Sequence, residues 1–240
     1  MTSAKTQRTE SNPTSDPKRE APTEANYARD RNLSLRQAFA IFVRQTPPKV
    51  LLVAVGIGLA TRLWRGGFDR WDLVPLVVLP LLHPFVEWLI HVFILHHRPR
   101  KIGPFTFDFH AAKHHRAHHV DPWNLKHVVM PLPILFVGAV FANVACWFAL
   151  PTVGSFHTAM VLVGITAVTY EWLHFLTHTS YRPRGAWYRR IYKFHRLHHF
   201  KNENYWMGVT RHFGDRVLGT MKDASEVETS PTARDLLARE

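Results

Sequence analysis

The pattern His-x-x-His-His occurs twice, as His115-Arg116-Ala117-His118-His119 and as His195-Arg196-Leu197-His198-His199. Two further pairs, His91/His96 and His174/His178, accompany it, and all four groups sit at or just past the ends of long apolar runs. An α-helix turns once in about 3.6 residues, so positions i, i+3 and i+4 lie on one face and three imidazoles can converge. Two triplets and two pairs make ten imidazoles, more than one ion can use, so the arithmetic points to two metals. The pattern describes a membrane-embedded dinuclear metal site.

The length of 240 residues fits one domain with polar ends. Thirty Lys and Arg against 18 Asp and Glu give a formal charge of +12 with histidine neutral. A basic balance suits nucleic acid, an anionic membrane surface or positive cytoplasmic loops. Here the cations cluster beside apolar runs, which favours the membrane and argues against nucleic acid. The single cysteine, Cys146, lies inside an apolar run and reads as a small packing residue. The first forty residues hold no apolar signal segment, so insertion is expected to rely on an internal span.

Residues 1–34 are rich in Ser, Thr, Pro, Asn and charge and read as a disordered polar tail, because they cannot bury enough surface to offset ordering. Residues 35–222 read as the membrane domain, and 223–240 as a second polar tail. Leu35 to Arg44 has apolar residues at helical spacing and suggests a short interfacial helix, broken by Pro47-Pro48.

Four apolar runs follow. Val50 to Trp64 is the shortest, at the lower limit for a span of about 20 residues, with Arg62 expected to snorkel. Leu73 to His96, Val128 to Leu150 and Phe156 to His178 are long enough to cross.

The 98–127 connection carries Arg98, Arg100, Lys101, Lys113, Arg116 and Lys126, and the stretch after His178 carries Arg182, Arg184, Arg189, Arg190 and Lys193. The positive-inside tendency places both with the basic N-terminus on the cytoplasmic side, with four spans between. Arg62, Arg65 and Arg70 then fall on the external side, against that tendency. Lys and Arg alone set this topology, and it brings all four histidine groups to the cytoplasmic face. The fold class expected is an all-α integral membrane bundle of four transmembrane helices with a cytosolic helical cap.

Neutral imidazole ligates Fe, Zn, Cu and Ni, and each ligating ring wants its other N–H on a carboxylate or carbonyl. Glu87 precedes His91 by four residues, Glu171 precedes His174 by three, and Asp121 follows the first triplet, so these acids are the expected partners of the ligands. His83, His97, His110, His114, His127, His157 and His212 read as structural or peripheral, although His97 competes with His96 and His114 with His115. An all-imidazole pair of metals at a membrane surface suits oxygen activation next to a lipid chain, whereas a hydrolytic dizinc site would more typically include carboxylate ligands. Phe85, Trp88 and Phe93 are candidates to line the path of the chain.

The ordered series resembles the fatty acid hydroxylase/sterol desaturase superfamily, and within it fatty acid 2-hydroxylases. The matching stretches are Glu87 to His96, His115 to Pro122, Tyr170 to His178 and Tyr192 to Asn202, closed by Asn204 to Thr210 and Asp215 to Thr220. Carried over by position, the resemblance implies His91, His96, His115, His118, His119, His174, His178, His195, His198 and His199 as metal ligands, and it excludes Thr179, where relatives often have a histidine.

It implies two iron ions, with zinc an alternative in purified protein, O2 as co-substrate and no tightly bound organic cofactor. The implied reaction is hydroxylation of the acyl chain of a fatty acid or fatty-acyl lipid. Many eukaryotic 2-hydroxylases carry a fused cytochrome b5 domain, which the polar head here cannot hold. Electrons are therefore expected from a separate partner, cytochrome b5-like, ferredoxin or reductase. A sterol or carotenoid desaturase or hydroxylase is the second reading. A metal transporter or storage protein is the third, disfavoured because transporters place ligands near mid-membrane.

Overall fold

The computed structural model describes residues 33–238, and the polar tail expected at 1–34 falls almost wholly outside them. Its last two residues belong to the fold. Leu33 is buried, and Ser34 caps helix α1 (Leu35–Phe42) in a reciprocal box with Gln37. α1 sets Phe42 against Trp172 and Phe175, with ring centroids 5.2 and 5.5 Å apart.

Pro47 and Pro48 end α1 and open α2 (Thr46–Arg65), because proline fits the first turn, where its missing N–H has no partner to lose. The shortest apolar run thereby becomes a 20-residue helix, long enough to cross. A 3-10 turn at Arg70–Asp72 leads into α3 (Leu73–Leu89), which continues as a π-helical turn over Ile90–Leu95. A hairpin of β1 (Arg100–Ile102) and β2 (Phe105–Phe107) precedes α4 (His110–Val120), α5 (Leu125–Val128) and α6 (Leu132–Ala149). The chain ends in α7 (Val153–Thr177), α8 (Ala186–Phe200) and α9 (Phe213–Val217).

Among the described residues, four segments are long and apolar enough to cross a membrane: 46–65, 70–95, 125–149 and 153–177. Ile57, Leu81, Phe136, Phe141 and Phe148 stand 65 to 84% exposed on them, which water would penalise and acyl chains would cover. The protein is a multi-pass membrane protein. α7 is the central span and meets α2 through small residues. A Cβ on Gly164 would lie 2.7 Å from Val55 Cγ2, and one on Gly58 3.5 Å from Val161 Cγ2. Close backbone approach of this kind supplies the packing that lipid cannot drive hydrophobically.

Arg62 does not snorkel. It is buried, donating from Nε to Thr158 on α7, from Nη1 to the Gly66 carbonyl and from Nη2 to Asp72, each at 2.7 Å. Thr158 also donates to Asp72. The guanidinium covers the Phe68 ring at 3.8 Å. A charge taken out of water needs this many partners, and here they tie α2, the 70–72 turn and α7 together at the end of the bundle away from the histidine clusters.

Arg62→Leu should lower stability in detergent by about 3–5 kcal/mol, since it strands the Asp72 carboxylate. Arg62→Leu/Asp72→Leu should recover most of that loss in the same thermal-unfolding measurement.

Candidate metal centre

Each histidine group sits where a helix meets the cap. His174 and His178 are four apart at the end of α7 and share its face. His91 and His96 are five apart, a spacing that an α-helix would splay by about 140°. The π turn removes the difficulty: the His96 N–H donates to the His91 carbonyl at 3.0 Å, so the wider turn brings the two rings edge to face, centroids 4.9 Å apart.

α4 and α8 each carry a triplet, and neither triplet converges on one point as expected. About 100° of turn per residue puts i and i+4 together and swings i+3 to the opposite flank. His115 and His119 therefore join His91 and His96, while His118 crosses to His174 and His178. α8 does the mirror operation: His195 and His199 join the second pair and His198 crosses to the first. The first group is His91, His96, His115, His119 and His198; the second is His118, His174, His178, His195 and His199. Within each, the candidate ligand atoms lie within 4.8 Å of one another. The groups touch through His119 and His199, whose ring centroids are 4.2 Å apart.

The donor chemistry fits a metal ion in each. In the first group His91 Nδ1 donates to the Met207 carbonyl at 2.6 Å and His119 Nδ1 to the Ala233 carbonyl at 2.8 Å. A ring that donates there while neutral carries its lone pair on Nε2. Both Nε2 atoms contact His115 Nε2, at 3.2 and 3.1 Å, and one proton on His115 can satisfy only one of them. His198 Nδ1 is likewise committed to the Tyr205 carbonyl, and its buried Nε2 has no hydrogen-bond partner; nor has His96 Nε2.

In the second group the Nε2 atoms run His174, His118, His178, His195, His199 with contacts of 3.0, 3.1, 2.8 and 3.1 Å. No assignment of ring protons makes more than two of those four contacts linear hydrogen bonds. Two imidazole nitrogens at about 2.0–2.1 Å from a shared ion lie roughly 2.9–3.4 Å apart, close to what is seen. Burial holds the rings outside the spans well below the ordinary histidine range, with His119 and His198 brought down to about 3, so the ligand lone pairs stay unprotonated at neutral pH.

The expected acids act one step further out. Glu87 does not bond His91; it accepts from the Val209 and Thr210 backbone N–H groups and the Thr210 hydroxyl. Asp215 accepts from Met207 N, Gly208 N and Thr220 Oγ1, at 2.7, 2.9 and 2.6 Å. Trp88 Nε1 reaches Thr220 Oγ1 at 2.8 Å, so this aromatic braces the cap rather than standing free along a chain path. Together these clamp the 205–210 loop, whose carbonyls orient His91 and His198. Trp206 lies between those carbonyls with φ of +57°, a left-handed conformation costly for a bulky residue and held by complete burial.

Glu171 accepts from Met130 N, two residues beyond the Val128 carbonyl that receives His174 Nδ1. Asp121 is an exposed C-cap of α4. Asp215 and the 205–210 loop were legible only as a family-like stretch, since no spacing rule ties them to histidines far upstream.

The family model described as fatty acid hydroxylase matches residues 76–220. The chain belongs to the fatty acid hydroxylase family. Over 176 residues it is 26% identical to a dihydroceramide fatty acyl 2-hydroxylase of Arabidopsis thaliana, covering 72% of this chain and 71% of the relative. Over 138 residues it is 31% identical to a ceramide very long chain fatty acid hydroxylase of Saccharomyces cerevisiae, covering 56% of this chain and 34% of that protein. The chain thus spans about a third of the yeast relative. The solved hydroxylase domain of full-length Scs7p superposes with a TM-score of 0.58 at 22% identity, over 79% of this chain and 68% of that one, a likeness of fold.

All ten histidines lie inside the stretch matched to the fatty acid hydroxylase family. The seven other histidines enter neither group among the described residues. His97 packs on Phe107 and Phe109, and His114 bonds the Lys126 carbonyl at 2.9 Å.

His115→Ala should empty the first group and His178→Ala the second, each lowering bound metal from two ions per chain to one by elemental analysis. Glu87→Ala, which strands two buried N–H groups of the 205–210 loop, should weaken the first ion by roughly 10–100-fold in a chelator titration and spare the second.

Proposed function

We propose that this protein is a membrane-bound oxidoreductase that hydroxylates the acyl chain of a fatty acid or fatty-acyl lipid. The reaction consumes O2, two electrons and two protons per C–H bond and releases water. The observation that carries the reading is the pair of five-imidazole groups gathered at one end of four apolar spans. Relatives named as fatty acyl and ceramide hydroxylases support the substrate class.

The ten histidines hold two iron ions, and iron with O2 supplies an oxidant strong enough for an unactivated C–H bond. Imidazole accepts zinc as readily, so the element bound depends on supply. The chain's own part is to orient the rings through backbone carbonyls, keep them neutral by burial, and present a water-excluding apolar bundle to the lipid. Electrons come from a separate donor that is cytochrome b5-like, a ferredoxin or a reductase. The Lys- and Arg-rich segments at 98–127 and after 178 support a cytoplasmic metal end, within reach of such donors. Ligands clustered at one end of the bundle, rather than strung through it, disfavour a transport path.

Membranes expressing the protein with iron and a reductase system under 18O2 should contain lipids heavier by one labelled oxygen, absent with His118→Ala. Mass spectrometry of the same extract covers sterols and carotenoids. If no lipid class gains the label over the His118→Ala control, the hydroxylase reading is wrong.

A further inference from the structure

The segment 223–238 reads from sequence as a polar tail and lies beyond the family-matched residues, yet it is folded against the metal centre. Val227, Thr232, Ala233 and Leu236 are buried. Three contacts hold it to the end of α8. Ser230 N donates to the Lys201 carbonyl at 2.7 Å, Asn202 Nδ2 donates to the Glu228 carbonyl at 3.1 Å, and the Thr232 hydroxyl donates to the buried Glu203 carboxylate. Arg234 adds a cationic contact over the Phe200 ring at 5.8 Å. The result is that the Ala233 carbonyl points at His119 Nδ1, 114 residues earlier in the chain.

We propose that this segment is a working part of the metal centre: a strap whose Ala233 carbonyl sets the tautomer and aim of His119, so that its docking governs occupancy of the first group. The inference rests on the metal-binding reading above. Without an acceptor at Nδ1, the His119 proton is free to move to Nε2, which removes a lone pair from the ion and leaves the ring free to rotate. The first group depends on such carbonyls at three of its five rings, His91, His119 and His198, whereas in the second group His174 has one, on Val128. His118, His195 and His199 of the second group keep buried Nδ1 atoms without a partner. Losing the strap therefore touches the first ion and not the second. Thr232, Ser230 and Glu203 are positioning residues, acting through the Ala233 carbonyl.

The full-length protein loaded with two ions is mixed with a strong chelator and metal release is followed in time. His115→Ala and His178→Ala, each holding one ion, identify the phases. Ser230→Pro/Thr232→Val should speed the first-group phase by roughly 10–100-fold, the usual effect of removing a ligand's hydrogen-bond partner, and leave the second-group phase unchanged. Thr232→Ser, which keeps the hydroxyl, should behave as wild type. Unchanged release of both ions would overturn the proposal, as would equal acceleration of both with a lowered melting temperature, the signature of general destabilisation. Wild-type protein that binds no metal would instead sink the functional reading on which the strap depends.

Discussion

Five imidazole nitrogens gathered within 4.8 Å of one another inside a buried site repel one another unless a cation sits among them. Protons are too few to relieve the contacts: three of the first group's Nδ1 atoms already donate to carbonyls, which leaves their lone pairs turned inward. The rest of the molecule serves that arrangement. The π turn brings His96 over His91, the i, i+3, i+4 spacing of α4 and α8 divides each triplet between two groups, and α7 ends where its pair must stand. Because each cap helix lends one ring to the other helix's group, the placing of α4 and of α8 serves both sites. This interleaving welds the halves of the bundle at the cap, as Arg62, Asp72 and Thr158 weld them at the far end.

Around the rings lies a layer of backbone, not of acids. The carbonyls of Val128, Tyr205, Met207 and Ala233 receive the ring protons, and the carboxylates of Glu87, Glu171 and Asp215 secure the backbone near most of those carbonyls. A carbonyl fixes a tautomer without adding a formal charge beside the metal. It also makes the histidine groups depend on loops distant in sequence, so that mutations far from any of the ten rings would reach a bound metal through a chain of hydrogen bonds.

Much of this was legible in the residues. The spans and the four histidine groups at their ends follow from hydropathy and spacing, because membrane thickness and helical periodicity are local rules, whereas the choice of His96 over His97 and of His115 over His114 came from the family resemblance. The partition of each triplet was also within reach of helical geometry, since i+3 and i+4 differ by about 100°. What stayed hidden depends on tertiary contact. Arg62 looked like an interfacial cation because nothing local announces Asp72 and Thr158 as its partners. Glu87 looked like the partner of His91 because both lie on one helix face, but the 205–210 loop arrives between them. Residues 223–238 looked like a tail because their composition is polar, while the groups that dock them, at Lys201, Asn202 and Glu203, lie just past the end of α8, far back in the sequence.

In the proposed centre each five-imidazole group encloses one metal ion. X-ray absorption at the metal K-edge, on protein purified without oxygen, reads the ligand shell directly. Two ions per chain, each with a nitrogen-dominated shell at about 2.0–2.2 Å and the outer-ring scattering of several imidazoles, is the result expected. A sulfur- or carboxylate-dominated shell, or a single ion per chain, would contradict it.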